Sequence, residues 1–324
     1  MPHEIPSALT PKEYAELYPR YLASERSRKK SEHTITTYEL ALRKFRDYLN
    51  EADPDTISPL DVSEWTDSLL DSGVSTNTAH QYYGIVSMFF DWAIQMKLLK
   101  ESPMPEDGQP EKEFKKKKIP SKDEIMRLLD PANIPFSIKG KLPLRNYTIV
   151  ATLLLTGLRS DEFRSLRLSD LDFENKTITV RNGKGGKERK APFSPRTQEI
   201  IRTYLSAGIR PEWATPEDWL FGTHQHAMNQ ETASRDEQWH KFDAATLGRL
   251  VKRYGKTVIG KEIHPHLLRH CATSLWADSD INMRSIQLAL GHANLTTTER
   301  IYADILDDKK AAQNIASILS TLSL

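Results

Sequence analysis

Apolar residues recur at helical spacing through the first hundred positions, in four segments separated by polar or turn-forming residues. Thr10-Pro11-Lys12-Glu13 reads as a capping box with proline at the first helical position, which predicts a helix to about Ala23. After the polar stretch Ser31 to Thr37, Tyr38, Leu42, Phe45 and Leu49 mark a second helix. Ser58-Pro59 opens a third, with Val62, Trp65 and Leu69 inward and Gly73 near its end. The fourth starts at Ser75 or Asn77 and aligns Ala79, Tyr82, Val86, Phe89 and Trp92 as far as Leu98 or so. Residues 1–100 are therefore expected to form a compact helical domain without strands.

Glu101 to Pro120 has no period and mixes Pro, Glu and Lys, as a linker does; Ser121-Lys122-Asp123-Glu124 is then a capping box that opens a second domain, residues 121–324. An apolar helix over Asn146–Leu155 ends at Gly157, a residue suited to the left-handed position after a helix, and Ser160 is placed to cap the helix that follows. Thr177–Arg181 alternates β-branched and polar residues, and Lys187–Phe193 is its expected partner across a glycine-rich turn. Ser194-Pro195 opens a helix through Ser206, and Asp243–Tyr254 is amphipathic on Leu247, Leu250 and Val251. Residues 207–241 fit no template. The fold class expected is mainly α with a small β-hairpin or sheet (α+β).

Composition changes this picture little. The 324 residues suffice for two domains, and the single cysteine, Cys271, falls on an apolar helix face and forms no intrachain disulfide. No leader-like or membrane-length apolar run occurs, so a soluble, cytoplasmic protein is expected. With 45 Lys+Arg against 44 Asp+Glu the net charge is +1; residues 1–120 hold 16 basic and 20 acidic groups, the remainder 29 and 24. Any binding of a polyanion must come from local patches. In the first domain Arg26, Arg28, Lys29, Lys30, Arg43, Lys44 and Arg46 are candidates, and Lys115 to Lys118 in the linker are others.

The chemistry concentrates near the C-terminus. In a helix beginning near His264, Leu267, Leu268, Cys271, Ala272 and Leu275 share one half, while His266, Arg269, His270 and Thr273 fall on the other and offer cations. Asn282 caps a second helix, with Ile281 and Ile286 as a hydrophobic staple and Gly291 as terminator, so that His292 follows a helix end. Thr296 to Glu299 opens a third, in which Ile301 and Ile305 face inward and Tyr302 lies at the edge. Two histidines, an arginine and a tyrosine suit an anionic substrate, since guanidinium binds phosphate oxygens bidentately and keeps its proton. Arg159, leaving the end of an apolar helix, pairs with Asp161 or Glu162 or serves the same purpose. Gly183-Lys184-Gly185-Gly186 lacks the P-loop pattern, and His224, His226, His240 and His264 lack the partners of a metal site.

The boxes T-G-L-R-x-x-E (Thr156–Glu162), G-K-G-x-K-E-R (Gly183–Arg189), H-x-x-R (His266–Arg269), G-H (Gly291-His292) and Tyr302 resemble those of the tyrosine recombinases, the phage-integrase and Xer-type family. The resemblance implies an N-terminal SAM-like four-helix core-binding domain and a C-terminal catalytic domain. It implies a site-specific recombinase in which Tyr302 attacks a DNA phosphate, Arg159 and Arg269 hold the non-bridging oxygens, His292 adds a hydrogen bond, His266 takes the tyrosine proton and Lys184 protonates the leaving 5′-oxygen. No metal, ATP or other cofactor is implied. The partners implied are double-stranded DNA with inverted-repeat sites and three further copies in a tetramer, with the helix expected over Asp304–Leu324 docking on a neighbour. Type IB topoisomerase-like relaxation and a catalytically inactive DNA-binding regulator of the same fold are the alternatives. Target sequence and biological task are not legible in the chain.

Overall fold

A computed structural model describes residues 11–49, 57–113, 119–134, 142–181, 188–224, 239–277 and 281–291. Outside them lie the Thr10 cap, Lys115 to Lys118, the hairpin tip with Lys184, His226, the turn from His292, Tyr302 and the expected C-terminal helix. The chain divides into two compact units, Met1–Lys115 and Lys116–Leu324.

In the first unit α1 (Pro11–Ser27), α2 (Glu32–Leu49), α3 (Pro59–Asp71) and α4 (Thr76–Gln95) follow the expected order. α2 starts earlier than its apolar spacing indicates, because Ser31 Oγ accepts from the Thr34 amide (3.2 Å) and Thr36 and Thr37 return their hydroxyls to carbonyls of the helix itself. Ser58 and Ser75 cap α3 and α4. Aromatic rings fill the centre: Phe45 meets Trp65 edge-on at 4.9 Å, and Tyr18 stacks on Phe89 at 4.7 Å. One of the cations expected as candidates for polyanion binding is drawn in. Lys30 Nζ lies 2.5 Å from the buried Glu25 and 2.7 Å from Tyr38 Oη, since a buried carboxylate needs a counter-charge. Arg26, Arg28, Lys29, Arg43, Lys44 and Arg46 remain exposed.

Residues 101–113 carry no helix or strand and are held against α4 within the first unit. Pro105 O accepts from Tyr83 Oη (2.9 Å), Pro110 O lies 2.7 Å from His80 Nδ1, and Glu113 O accepts from Asn77 Nδ2 (2.9 Å). The segment thus runs back along the helix toward its N-terminus. Side-chain donors on α4 take up its backbone carbonyls, a pairing that no periodicity encodes.

The second unit is built around α6 (Leu142–Thr156). Tyr147 to Leu154 are all buried, which is what an all-round apolar helix requires. Around it pack α5 (Lys122–Leu129), α8 (Pro195–Ser206), α9 (Ala244–Ile259) and α10 (Pro265–Ala277). The short α7 (Ser160–Arg164) follows α6 directly, and α11 (Met283–Leu290) packs on α10. A small antiparallel sheet joins β1 (Leu171–Asp172), β2 (Thr177–Val180) and β3 (Arg189–Pro192), with Ile178 opposite Ala191 and Val180 opposite Arg189. Ile281 stays 45 % exposed while Ile286 is buried, so Asn282 caps α11 without the expected staple.

The stretch without a template is organised by one buried arginine. Arg210 donates to the carbonyls of Trp219, Ala214, Thr215 and Asp218, shaping the loop before β4 (Gly222–His224) and β5 (Trp239–Lys241). Gly222 admits the Trp239 ring: a Cβ there would stand 2.5 Å from it.

Truncating the fully buried Leu154→Ala near the C-terminal end of α6 is expected to cost about 2–5 kcal/mol. Denaturant unfolding of the full chain measures it, and a loss below about 1 kcal/mol would mean that α6 is not the core of this unit.

Candidate active site

The apolar run of α6 ends at Gly157 in the left-handed region, φ +61°. A Cβ at Gly157 would lie 2.9 Å from Leu290 and 3.1 Å from Trp276, so glycine is required by the close approach of α10 and α11 as well as by the backbone. The next turn throws Arg159 out of the helix end. Arg159 itself, rather than Ser160, occupies the cap position of α7: its amide donates to Glu162 Oε2 at 2.8 Å, and its guanidinium reaches Glu162 Oε1 at 2.7 Å. Glu162, one turn into α7, is therefore both cap and counter-ion. Asp161, the other candidate partner, pairs with Arg164.

Arg269 departs from its expected place. Helical spacing puts it on the polar half of α10, yet it is only 4 % exposed, because its side chain runs to the ends of α6 and α11 rather than into water. Its guanidinium donates to Gly157 O (2.6 Å) and Leu290 O (2.7 Å) and lies 3.9 Å from Glu162 Oε2. His266, one turn earlier on α10, is exposed, and its ring meets that of His270 edge-on at 4.6 Å. His264 Nδ1 accepts from the Leu267 amide at 3.1 Å and so caps the helix.

A third cation arrives from the sheet. Arg189, at the start of β3, donates to Glu162 Oε2 at 2.8 Å and to Ala289 O. Three consecutive carbonyls of the α11 terminus thus each accept from a different arginine: Ala289 from Arg189, Leu290 from Arg269 and Gly291 from Arg159 (2.7 Å). The negative end of the helix dipole and four unsatisfied carbonyls make such a terminus a natural cation seat. Gly291 (φ +65°) closes the helix, and a Cβ on it would stand 2.6 Å from Arg189 Cδ and Nε.

Among the described residues three guanidinium groups share one carboxylate, so positive charge exceeds negative charge in the cluster. Burial alone would raise the Glu162 carboxyl, but the Arg159 amide and the Arg189 and Arg159 guanidiniums overrule it and hold it below the usual range. Burial, then repulsion from Arg159, brings Arg269 down to about 9 against the opposing pull of Glu162. Burial likewise lowers Arg189. A cluster with this surplus of positive charge suits an anion.

The family models agree on what kind of protein carries this site. The phage integrase family model matches residues 120–309, more than half of the chain, and the phage integrase N-terminal SAM-like domain model matches residues 15–97. The chain belongs to the phage integrase family. It is a tyrosine recombinase. It is 30 % identical to tyrosine recombinase XerA of Saccharolobus solfataricus over 85 % of this chain and 84 % of that one. A tyrosine recombinase of Pseudothermotoga lettingae is 28 % identical over 87 % of this chain and 91 % of that one. Among solved structures, the Tn1549 transposon integrase in complex with transposon right end DNA shares the fold (TM-score 0.70, 23 % identity, covering 96 % of this chain and 100 % of that one).

Of the six residues expected to carry the recombinase chemistry, the structure brings Arg159 and Arg269 onto one carboxylate and one helix terminus, and leaves His266 exposed one turn from Arg269. Lys184, His292 and Tyr302 lie outside the described residues. Tyr204 and Tyr254, two other tyrosines of the second unit, are buried, and burial raises both phenols. Sequence reading gave Arg189 no role. The available signal was alternation: in β3, Arg189 and Ala191 point inward and Lys190 outward, so the strand carries an arginine on its core side.

Replacing Glu162→Gln removes the one carboxylate under three guanidiniums and is expected to cost roughly 3–5 kcal/mol, the usual loss for breaking a buried pair. Because the Arg269 pKa is lower folded than unfolded, its charging opposes folding at neutral pH, and the penalty shrinks as pH rises past about 9. Added sulfate is therefore expected to raise the melting temperature at pH 7, more in Glu162→Gln than in the wild type; an equal response would place the anion elsewhere.

Proposed function

We propose that this recombinase cleaves and rejoins duplex DNA at inverted-repeat sites through a covalent 3′-phosphotyrosyl link formed by Tyr302. The observation that carries the reading is the convergence of Arg159 and Arg269 on Glu162 and on the α11 terminus, a positively charged seat suited to a scissile phosphate. There they neutralise the non-bridging oxygens as charge builds on the pentacoordinate phosphorus. The Tyr302 oxygen bonds to phosphorus while the bond from phosphorus to the 5′-oxygen breaks. A phenol with an ordinary pKa near 10 needs a base, and His266, exposed near Arg269, takes that proton. Lys184 supplies the proton to the departing 5′-oxygen, and His292 donates a hydrogen bond to the phosphate. The phosphotyrosyl ester conserves the bond energy, so a 5′-hydroxyl of a second strand reverses the step and exchanges strands without ATP or metal.

In this reading residues 1–100 clamp the duplex, residues 101–120 cross to the catalytic domain of residues 121–324, and four copies assemble on two sites with the C-terminal segment docking on a neighbour. The exposed cations Arg26, Arg28, Lys29, Arg43, Lys44 and Arg46 give the first domain phosphate contacts. Among the described residues no helix is long and apolar enough to cross a membrane, and we place the protein with the DNA in the cytoplasm.

The test is a nicked suicide duplex carrying an inverted-repeat site selected by the wild-type protein from a randomised library. Wild type is expected to form a covalent adduct in the presence of EDTA, and Tyr302→Phe none. An adduct in the mutant would move the nucleophile, and loss of the adduct with EDTA would overturn the metal-free chemistry. Relaxation of supercoiled plasmid without strand exchange would favour the topoisomerase-like alternative.

A further inference from the structure

Arg189 lies in none of the positions to which the chemistry above assigns a role, yet it touches both supports on which the phosphate-binding arginines rest. One guanidinium nitrogen donates to Glu162 Oε2, the other to Ala289 O, and its Cδ and Nε lie across Gly291. Glu162 is the carboxylate that fixes Arg159; the turn Ala289–Gly291 is the acceptor for Arg159 and Arg269. Its partners leave little of Arg189 for solvent: the side chain is 12 % exposed.

We propose that Arg189 is a positioning residue of the recombinase, a strut from β3 that holds Glu162 and the α11 terminus in register so that Arg159 and Arg269 present their guanidiniums together. The strut acts through geometry. Glu162 has two oxygens: Oε1 takes the Arg159 guanidinium, while Oε2 takes the Arg159 amide and Arg189. Without Arg189 the carboxylate loses one of two close cations and is free to rotate, and α11 loses its tie to the sheet. Both changes displace the guanidinium planes of Arg159 and Arg269, whose bidentate grip depends on angle. Lysine at this position keeps the charge but reaches only one of the two partners, because an ammonium lacks the fork. Gly291 belongs to the same device: any side chain there would push Arg189 off the turn.

This inference rests on the phosphotyrosyl reading, and the same suicide duplex tests the two separately. If wild type forms no adduct, that reading fails; the strut is judged on variants only where wild type cleaves. In the full chain Arg189→Met is expected to slow adduct formation on the order of 100-fold, the cost of an ångström-scale misplacement, while affinity for the uncleaved duplex is unchanged. Arg189→Lys is expected to fall between Met and wild type. A second substrate with a methylphosphonate at the scissile position separates positioning from direct charge neutralisation, since it lacks the negative oxygen. Arg159→Ala and Arg269→Ala recover on it relative to the phosphodiester, whereas Arg189→Met is expected to gain nothing. Recovery of Arg189→Met on that substrate, or its cleavage at the wild-type rate on the ordinary one, would overturn the proposal. Should Arg189→Met fold poorly, Gly291→Ala retains the arginine and displaces it, and it is expected to show the same loss on both substrates; wild-type cleavage by Gly291→Ala would equally overturn the strut.

Discussion

The site depends on a contact between like charges made tolerable. Three guanidinium groups are packed against Glu162 and the last three carbonyls of the α11 segment, with Arg269 almost completely out of water. Isolated, such a cluster would be strongly unfavourable, because burial penalises each charge and the charges repel. The carboxylate and the helix-terminal carbonyls supply enough negative potential to hold it together and no more. What is left over among the described residues is a surplus of positive charge suited to an anion. In the proposed reaction that is preorganisation in electrostatic terms: the reorganisation cost is met in folding.

The surrounding architecture follows from that demand. α6 is buried on all sides so that its C-terminal end, with Gly157 and Arg159, sits at a fixed point against α10 and α11. Both glycines of the site, Gly157 and Gly291, combine a left-handed backbone with contacts that no Cβ permits, so each closes a helix and admits a neighbour at once. The small sheet contributes Arg189 from its β3 strand. The backbone acceptors of the three arginines all lie at helix ends, since those are the places where carbonyls remain available.

The first unit uses similar physics at a different scale. Glu25 is buried between Arg28 and Lys30 at the α1–α2 corner, so one carboxylate organises two of the cations there. Arg26, Lys29, Arg43, Lys44 and Arg46 stay in water, and residues 101–113 are tied to α4 by side-chain donors. A segment without periodicity is thereby given a fixed course.

Most helices were legible in the chain, because the spacing of apolar residues and the serine and asparagine caps are local properties; Ser58, Ser121, Ser194 and Asn282 all open their helices where the chain predicts. It also carried the family boxes and thus the fold class. The state of the charges was set by long-range packing. Periodicity assigns Arg269 to a polar face but does not say that the face abuts two helix ends. Nor does it reveal that Lys30 is neutralised by Glu25, or that Arg210 collects four carbonyls from a loop with no pattern. Arg189 was silent for the same reason: its partners are 27 and 100 positions away in the chain. Local spacing fixes which way a side chain points, whereas burial and ionic partnership depend on which distant backbone comes to meet it.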